Sequence, residues 1–300
     1  MMKKSKRILA IALCAVLSAS TLSFAGCSKK ADAAAPASAA ANTSAANQSA
    51  EKKVLKVGME CAFAPYNWTQ ADSSNNAIPI ANSSGEYANG YDVMMAKKIA
   101  DAIGYDLQIV KTEWDGLAPG VASGKLSAAI AGMSITAERL KTVDFTDPYY
   151  NATIYALVKS DSKYASAKSV ADLKGAKCTS QQNTIWYDML KQIPEANIQP
   201  AMKNVPALIV ALTSGKTEVF VTDKPTAMAA AYTNKNLVML DFSASGNDFK
   251  ASDEDVNLGI AVSKKDTALK EAINKALAQI SDADRDKIMQ DAIKNQPATK

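Results

Sequence analysis

The chain contains no histidine in 300 residues. That excludes a Ser-His-Asp or Cys-His catalytic set and every metal site built on imidazole. Cysteine is scarce: four residues, Cys14, Cys27, Cys61 and Cys178, stand far apart with no zinc spacing. No apolar run is long enough to span a membrane; the run Ile8 to Leu17 is the nearest approach and falls short. Excess charge is lacking as well. The net +4 comes from Lys3, Lys4, Lys6 and Arg7, and the rest balances at 30 Lys and Arg against 30 Asp and Glu. There is no basic footprint for nucleic acid.

What is present at the N-terminus is a set of cations, a short apolar core and a Ser-rich stretch, which read as a signal peptide over residues 1–26. It closes on Phe24-Ala25-Gly26-Cys27, similar to a lipobox, with Phe where Leu is usual. Cys27 is then expected to carry lipid; ordinary cleavage near Ala25, releasing a secreted product, is the other reading. Residues 28–51 are Ala, Ser, Asn and Pro with almost no large apolar side chains, a composition that cannot bury enough surface to fold. With Cys27 they read as a flexible tether, roughly 80 Å long if fully extended and about 27 Å as a coil.

Residues 52–300 are enough for two lobes or one large domain. Val54 to Met59 alternates as a strand, 67–87 is polar and reads as a loop or hairpin insertion, and Asp92 to Ile103 has helical spacing closed by Gly104. A strand over Leu107 to Lys111, a short helix from Trp114 and a strand over Leu126 to Ala131 complete a β-α-β-α-β unit with a parallel sheet. A second set follows, with strands at 152–159, 176–180, 218–222 and 237–240 and helices at 169–173, 184–192, 206–213 and 224–232. A strand over Val256 to Val262 and two helices, 268–280 and 282–294, end the chain, the last capped by Ser281.

One stretch organises the rest: Gly132-Met133-Ser134-Ile135-Thr136-Ala137-Glu138-Arg139. Thr136 fits a helix N-cap with Glu138 and Arg139 in the first turn. N–H groups, the Ser134 hydroxyl and a planar guanidinium together suit a carboxylate; a capped, solvated helix start is the plainer reading of the same residues. The stretch resembles the signature Gly/Ser-x-Ser/Thr-Ile-Thr-x-x-Arg of the extracellular solute-binding proteins that serve polar amino-acid ABC importers. In that family it is followed by a Phe-Ser/Thr-Asp-Pro-Tyr run, and here Phe145 to Tyr150 reads FTDPYY. The resemblance extends over 54–300.

It implies an α/β fold of the type II periplasmic-binding-protein kind: two β/α lobes joined by a two-strand hinge, with the ligand cleft between them. Lobe one would comprise 52–152 plus 254–300 and lobe two 153–253, with crossovers near 151–153 and 253–257. Cys61 and Cys178 are expected as buried thiols, since a bond would staple lobes that must move. The resemblance assigns the ligand carboxylate to Arg139, Ser134 and backbone N–H groups at Thr184 and Ile185. Asn183 stands where the family has Gly, a position that Asn tolerates better than most residues. The ammonium falls to Asp223 and the Gly132 carbonyl, although Asp223 could equally be a plain N-cap. The side chain would lie between Phe63 and Trp114, with Glu60 and Gln181 setting specificity; Trp114 could instead be core. Glu60 favours a basic or amide ligand over an acidic one.

The expected function is capture of a free amino acid outside the membrane by a lipid-anchored monomer. The ligand then passes to a membrane permease with its ATPase, and no cofactor, metal or catalytic step is needed. A dehydratase-like enzyme on the same fold, using Glu60 as acid or base, and a ligand-sensing receptor subunit are the rivals.

Overall fold

The computed structural model describes residues 52–297. Cys27, the signal peptide and the tether lie outside the described residues. Two five-stranded sheets organise the fold. In the first the order is Asp106–Lys111, Val54–Met59, Ala128–Ala129, Ala261–Val262, Asp144–Phe145. Val54–Met59 runs parallel to both its neighbours, while Ala261–Val262 is antiparallel to both of its own. In the second the order is Asn197–Ile198, Lys177–Thr179, Val219–Asp223, Ile154–Lys159, Leu237–Leu240. Here too the first three strands are parallel, and the fourth, Ile154–Lys159, is antiparallel to both neighbours. Each sheet is thus mixed rather than purely parallel. In each case the antiparallel strand is the one that the chain enters after crossing from the other sheet.

The two crossings run side by side. Tyr150–Asn151 pairs antiparallel with Asn257–Leu258, Asn151 Nδ2 donates to Asn257 Oδ1 at 3.0 Å, and the Ala152 N–H donates to the Val256 carbonyl at 2.8 Å. The expected strand over 256–262 is therefore two short pieces, one in this ribbon and one in the first sheet. The break falls where the Gly259 and Ile260 N–H groups turn to the Met133 carbonyl and Thr146 Oγ1. A capped turn of helix, Asp253–Val256, precedes them.

Helix Tyr91–Ile103 buries Tyr91, Val93, Met95, Ala96, Ile99 and Ala100, the spacing of one helical face against the first sheet. Gly104 ends it at φ 73, a left-handed geometry that glycine takes without cost. Helix Asp282–Asn295 starts at Ser281, whose hydroxyl accepts the Asp284 N–H at 3.2 Å, as expected. Of the two readings of the polar segment after Tyr66, loop or hairpin insertion, the paired one holds. Ala62–Phe63, Asn67–Gln70, Tyr87–Asn89 and Ile78–Pro79 form a small antiparallel sheet, and Trp68 and Ala88 are buried in it.

The expected strand 126–131 narrows to Ala128–Ala129, where both Val57–Gly58 and Ala261–Val262 lie opposite. Cys61 and Cys178 are buried and unbridged, and burial pushes both thiols up, Cys61 to about 12 and Cys178 to about 11. An apolar groove of about 390 Å³ lies between the small sheet and helices Val205–Thr213 and Lys224–Thr233, with no charged residue in its lining. No helix among the described residues is long and apolar enough to cross a membrane.

Candidate functional site

The residues singled out in the sequence stand just beyond the carboxyl ends of parallel strands, where open α/β sheets place ligands. Glu60 follows Val54–Met59, Gly132 and Ser134 follow Ala128–Ala129, Gln181 follows Lys177–Thr179, and Asp223 ends Val219–Asp223. These ends of the two sheets meet.

Arg139 reaches across. Its Nη1 donates to the Ser134 carbonyl at 2.8 Å and its Nη2 to the Asn183 carbonyl at 3.0 Å, while the guanidinium carbon lies 5.0 Å from the Trp114 ring centroid. Burial against the ring lowers the guanidinium to about 10, still protonated at neutral pH. Two of its five N–H groups meet backbone carbonyls, which leaves donors for an anion. The turn that carries it is shorter than expected: a single 3₁₀ turn, Arg139–Lys141, in place of a helix. The Arg139 N–H still donates to Thr136 Oγ1 at 3.3 Å, as an N-cap would have it. The Thr142 and Val143 N–H groups share the Arg139 carbonyl, and the chain then enters strand Asp144–Phe145. Ser134 is buried and meets Arg139 through its carbonyl rather than its hydroxyl.

Asn183 adopts φ 55, the left-handed conformation foreseen for it. Its carbonyl also accepts Trp114 Nε1 at 3.4 Å. Thr184, with its hydroxyl donating to the Gln181 carbonyl at 2.8 Å, leads into helix Ile185–Met189, which is shorter than the expected span and continues as a 3₁₀ turn. Trp114 is 9% exposed, packed as core while its indole N–H reaches Asn183.

Asp223 is fully buried, and burial raises its carboxyl. It is the N-cap that the sequence allowed. Oδ1 accepts the Thr226 N–H at 2.9 Å, the N-cap of helix Lys224–Thr233, and also the Tyr66 hydroxyl at 3.2 Å; Oδ2 accepts Thr226 Oγ1 at 2.9 Å. Tyr66 in turn stacks on Phe63 with centroids 4.8 Å apart. Gly132, at φ 58, lies so close to Phe63 that a Cβ there would sit 2.6 Å from the ring. Glu60 takes Gln181 Nε2 at 3.1 and 3.2 Å on its two oxygens, a further bond between the ends of the two sheets. Burial pushes Glu60 up to about 7, with Gln181 opposing and Glu113 and Asp115 adding to the rise.

Three features were not foreseen: the Asp115 contacts, the Lys203–Glu113 pair and Tyr66. Asp115 accepts Gln182 Nε2 and Asn183 Nδ2, each at 2.7 Å, and Lys203 pairs with Glu113 at 3.0 Å, all between the lobes on the exposed side. Tyr66 is the third. Asp115 adjoins Trp114 and Tyr66 lies three residues after Phe63, so adjacency to an expected site residue was the available signal.

The fold and these strand ends define a two-lobed ligand receptor with its cleft between two β/α lobes. Residues 55–294 match the family of bacterial extracellular solute-binding proteins, family 3, and the chain belongs to that family. It is 34% identical over 221 residues to the ABC transporter glutamine-binding protein of Bacillus subtilis, covering 72% of this chain and 76% of that one. Among solved structures it resembles an amino acid ABC transporter substrate-binding protein of Streptococcus pneumoniae bound to L-arginine. The TM-score is 0.69 at 26% identity, over 80% of this chain and 94% of that one. It also resembles an ancestral amino-acid-binding protein described as a precursor of cyclohexadienyl dehydratase, with TM-score 0.64 at 31% identity, over 80% of this chain and 95% of that one.

Proposed function

We propose that this protein captures a free amino acid, basic or amide side chains favoured, and delivers it to the membrane permease of an ABC importer. The observation that carries the reading is the set of contacts made across the cleft by residues expected to touch ligand: Arg139 to Asn183, Trp114 to Asn183 and Glu60 to Gln181. Arg139, Ser134 and the N–H groups of Thr184 and Ile185 take the carboxylate. Asp223 and the Gly132 carbonyl take the ammonium, and Glu60, Gln181, Phe63 and Trp114 surround the side chain.

The lobes, 52–152 with 254–300 and 153–253, swing about the ribbon of Tyr150–Asn151 and Asn257–Leu258. Ligand contacts to both lobes favour the closed form, which the permease recognises. A signal peptide over 1–26 directs export, and lipid on Cys27 moors the protein as a monomer to the outer face of the membrane through the 27–51 tether. The arginine-bound neighbour and the glutamine-binding relative support the ligand class.

A thermal-shift screen of the purified protein against the twenty amino acids tests this. A ligand at about 100 times its dissociation constant adds roughly 2.7 kcal/mol. A rise with Arg, Lys, His or Gln and none with Glu supports the reading; no rise with any amino acid sinks it. The second reading, a dehydratase-like enzyme, draws on Glu60, whose carboxyl near 7 suits proton transfer, and on the dehydratase precursor among the neighbours. Turnover of a bound carboxylic acid, lost in Glu60→Gln, would favour it.

A further inference from the structure

We propose that Asp92, which does not itself face the cleft contacts described above, is the positioning residue for both ligand-facing loops of the first lobe; this rests on the receptor reading. The Gly132 N–H donates to the Tyr149 hydroxyl at 2.9 Å, and Tyr149, having accepted there, donates its own proton to Asp92 Oδ1 at 2.6 Å. Asp92 Oδ2 accepts Asn67 Nδ2 at 2.8 Å, and Asn67 Oδ1 accepts the Cys61 N–H at 2.8 Å. One carboxylate therefore ties the loop of Glu60, Cys61 and Phe63 to the loop of Gly132 and Ser134.

Every side chain in the chain of bonds is buried: Asp92, Asn67 and Tyr149 are all 0% exposed. Both anchored backbones hold a positive φ, 54 at Cys61, where a side chain makes it costly, and 58 at Gly132, where glycine leaves other conformations open, so each needs holding. The anchor itself is rigid. Asp92 lies in the first turn of helix Tyr91–Ile103 and its N–H donates to the Tyr66 carbonyl at 2.8 Å, while Tyr91 donates to the Tyr149 carbonyl at 2.9 Å and stacks on its ring.

The polarity of the chain explains why a carboxylate stands here. Both neighbours donate, so the hub must only accept. In Asp92→Asn the amide would turn N–H₂ toward one of two donors. Keeping Tyr149 satisfied sets donor against donor at Asn67, and flipping Asn67 to relieve this releases the Cys61 N–H. Exchanging the two side chains, Asp92→Asn with Asn67→Asp, restores every pairing: residue 92 accepts from Tyr149 and donates to residue 67, which accepts from Cys61.

The test measures Asp92→Asn, Tyr149→Phe, the exchanged double variant and a control, Tyr164→Phe, which removes a buried hydroxyl bonded to the Lys174 carbonyl elsewhere. Calorimetric titration with L-arginine and L-glutamine gives affinity, and amide hydrogen exchange at Gly132 and Cys61 reports the loops without ligand. Expected are roughly tenfold weaker binding and faster exchange in Asp92→Asn, with recovery in the double variant and no such change in the control. Tyr149→Phe should show the same at Gly132, and it stands in should Asp92→Asn not fold. Unchanged exchange at both amides overturns the proposal whatever the ligand. Faster exchange with unchanged affinity overturns the role in binding. Failure of the wild-type protein to bind any amino acid overturns the receptor reading instead, and the exchange arm still decides the positioning of the loops.

Discussion

Tyr66 in the first lobe donates its hydroxyl to the buried carboxylate of Asp223 in the second, 157 residues away, at 3.2 Å. Asp223 also caps helix Lys224–Thr233. A single carboxylate thus takes a bond from the first sheet's side, starts a helix and, on the proposed reading, receives the ligand's ammonium. The roles separate by substitution. Asn caps a helix about as well as Asp, so Asp223→Asn should keep its melting temperature within a few degrees while losing about 2–5 kcal/mol of amino-acid affinity. Asp223→Ala should lose both, with about 1 kcal/mol of stability going with the cap. Thermal melts beside calorimetric titrations distinguish the two variants.

Arg139 is half-buried and its bonds to protein are to two backbone carbonyls, so its removal should leave the fold intact. Arg139→Ala should abolish amino-acid binding. Arg139→Lys should not restore it, because an ammonium cannot present the planar pair of donors. Wild-type affinity in either variant would remove Arg139 from the site.

Glu60 has its carboxyl raised by burial to about 7, from an ordinary value of 4.5. The unfolded chain therefore ionises first as pH rises. From about pH 4 to 7 the native state holds a proton that the unfolded state has lost, so this group makes stability fall through that window and level off above it. The change is about 3 kcal/mol at most. Ligand-free protein should melt higher at pH 5 than at pH 7.5, and Glu60→Gln should flatten part of the slope. Affinity for L-arginine should move the other way, rising from pH 5 to 8 as Glu60 ionises, with little change for L-glutamine.

The Asp115 clasp to Gln182 and Asn183 is exposed, so its worth is modest. Asp115→Ala should leave the melting temperature of the ligand-free protein nearly unchanged and speed ligand release a few-fold, as about 0.5–1 kcal/mol of closed-state preference is lost. Stopped-flow dissociation measures this directly.

Much of the fold was legible in residue order because its causes are local. Val54–Met59 alternates, Tyr91–Ile103 repeats every three to four residues, and Gly104 and Ser281 terminate helices by backbone geometry and side-chain capping within a few bonds. Arg139 and Asp223 were singled out by the family resemblance, since local pattern alone read them as plain helix starts, and Asn183 was noted as a departure from it. Lost from view were elements whose length depends on a partner. Ala128–Ala129 is short because its neighbours oppose it only there, and 256–262 divides because its halves serve different sheets. The small sheet within 62–89 was legible only as a loop or hairpin insertion, because polar, glycine-containing stretches look like loops until paired.

Residue type and spacing by themselves determined the β/α order, the caps and the exclusion of histidine chemistry, and the family resemblance of the sequence supplied the cationic and acidic candidates. Only the tertiary structure decided which of these groups meet. The separation of Glu60 from Gln181, Asp115 from Asn183, and Asp92 from Tyr149 is 57 residues or more in each case. A hydrogen bond depends on distance and direction in space, and over such lengths of chain those are set by how the two sheets pack, not by any periodicity along the sequence.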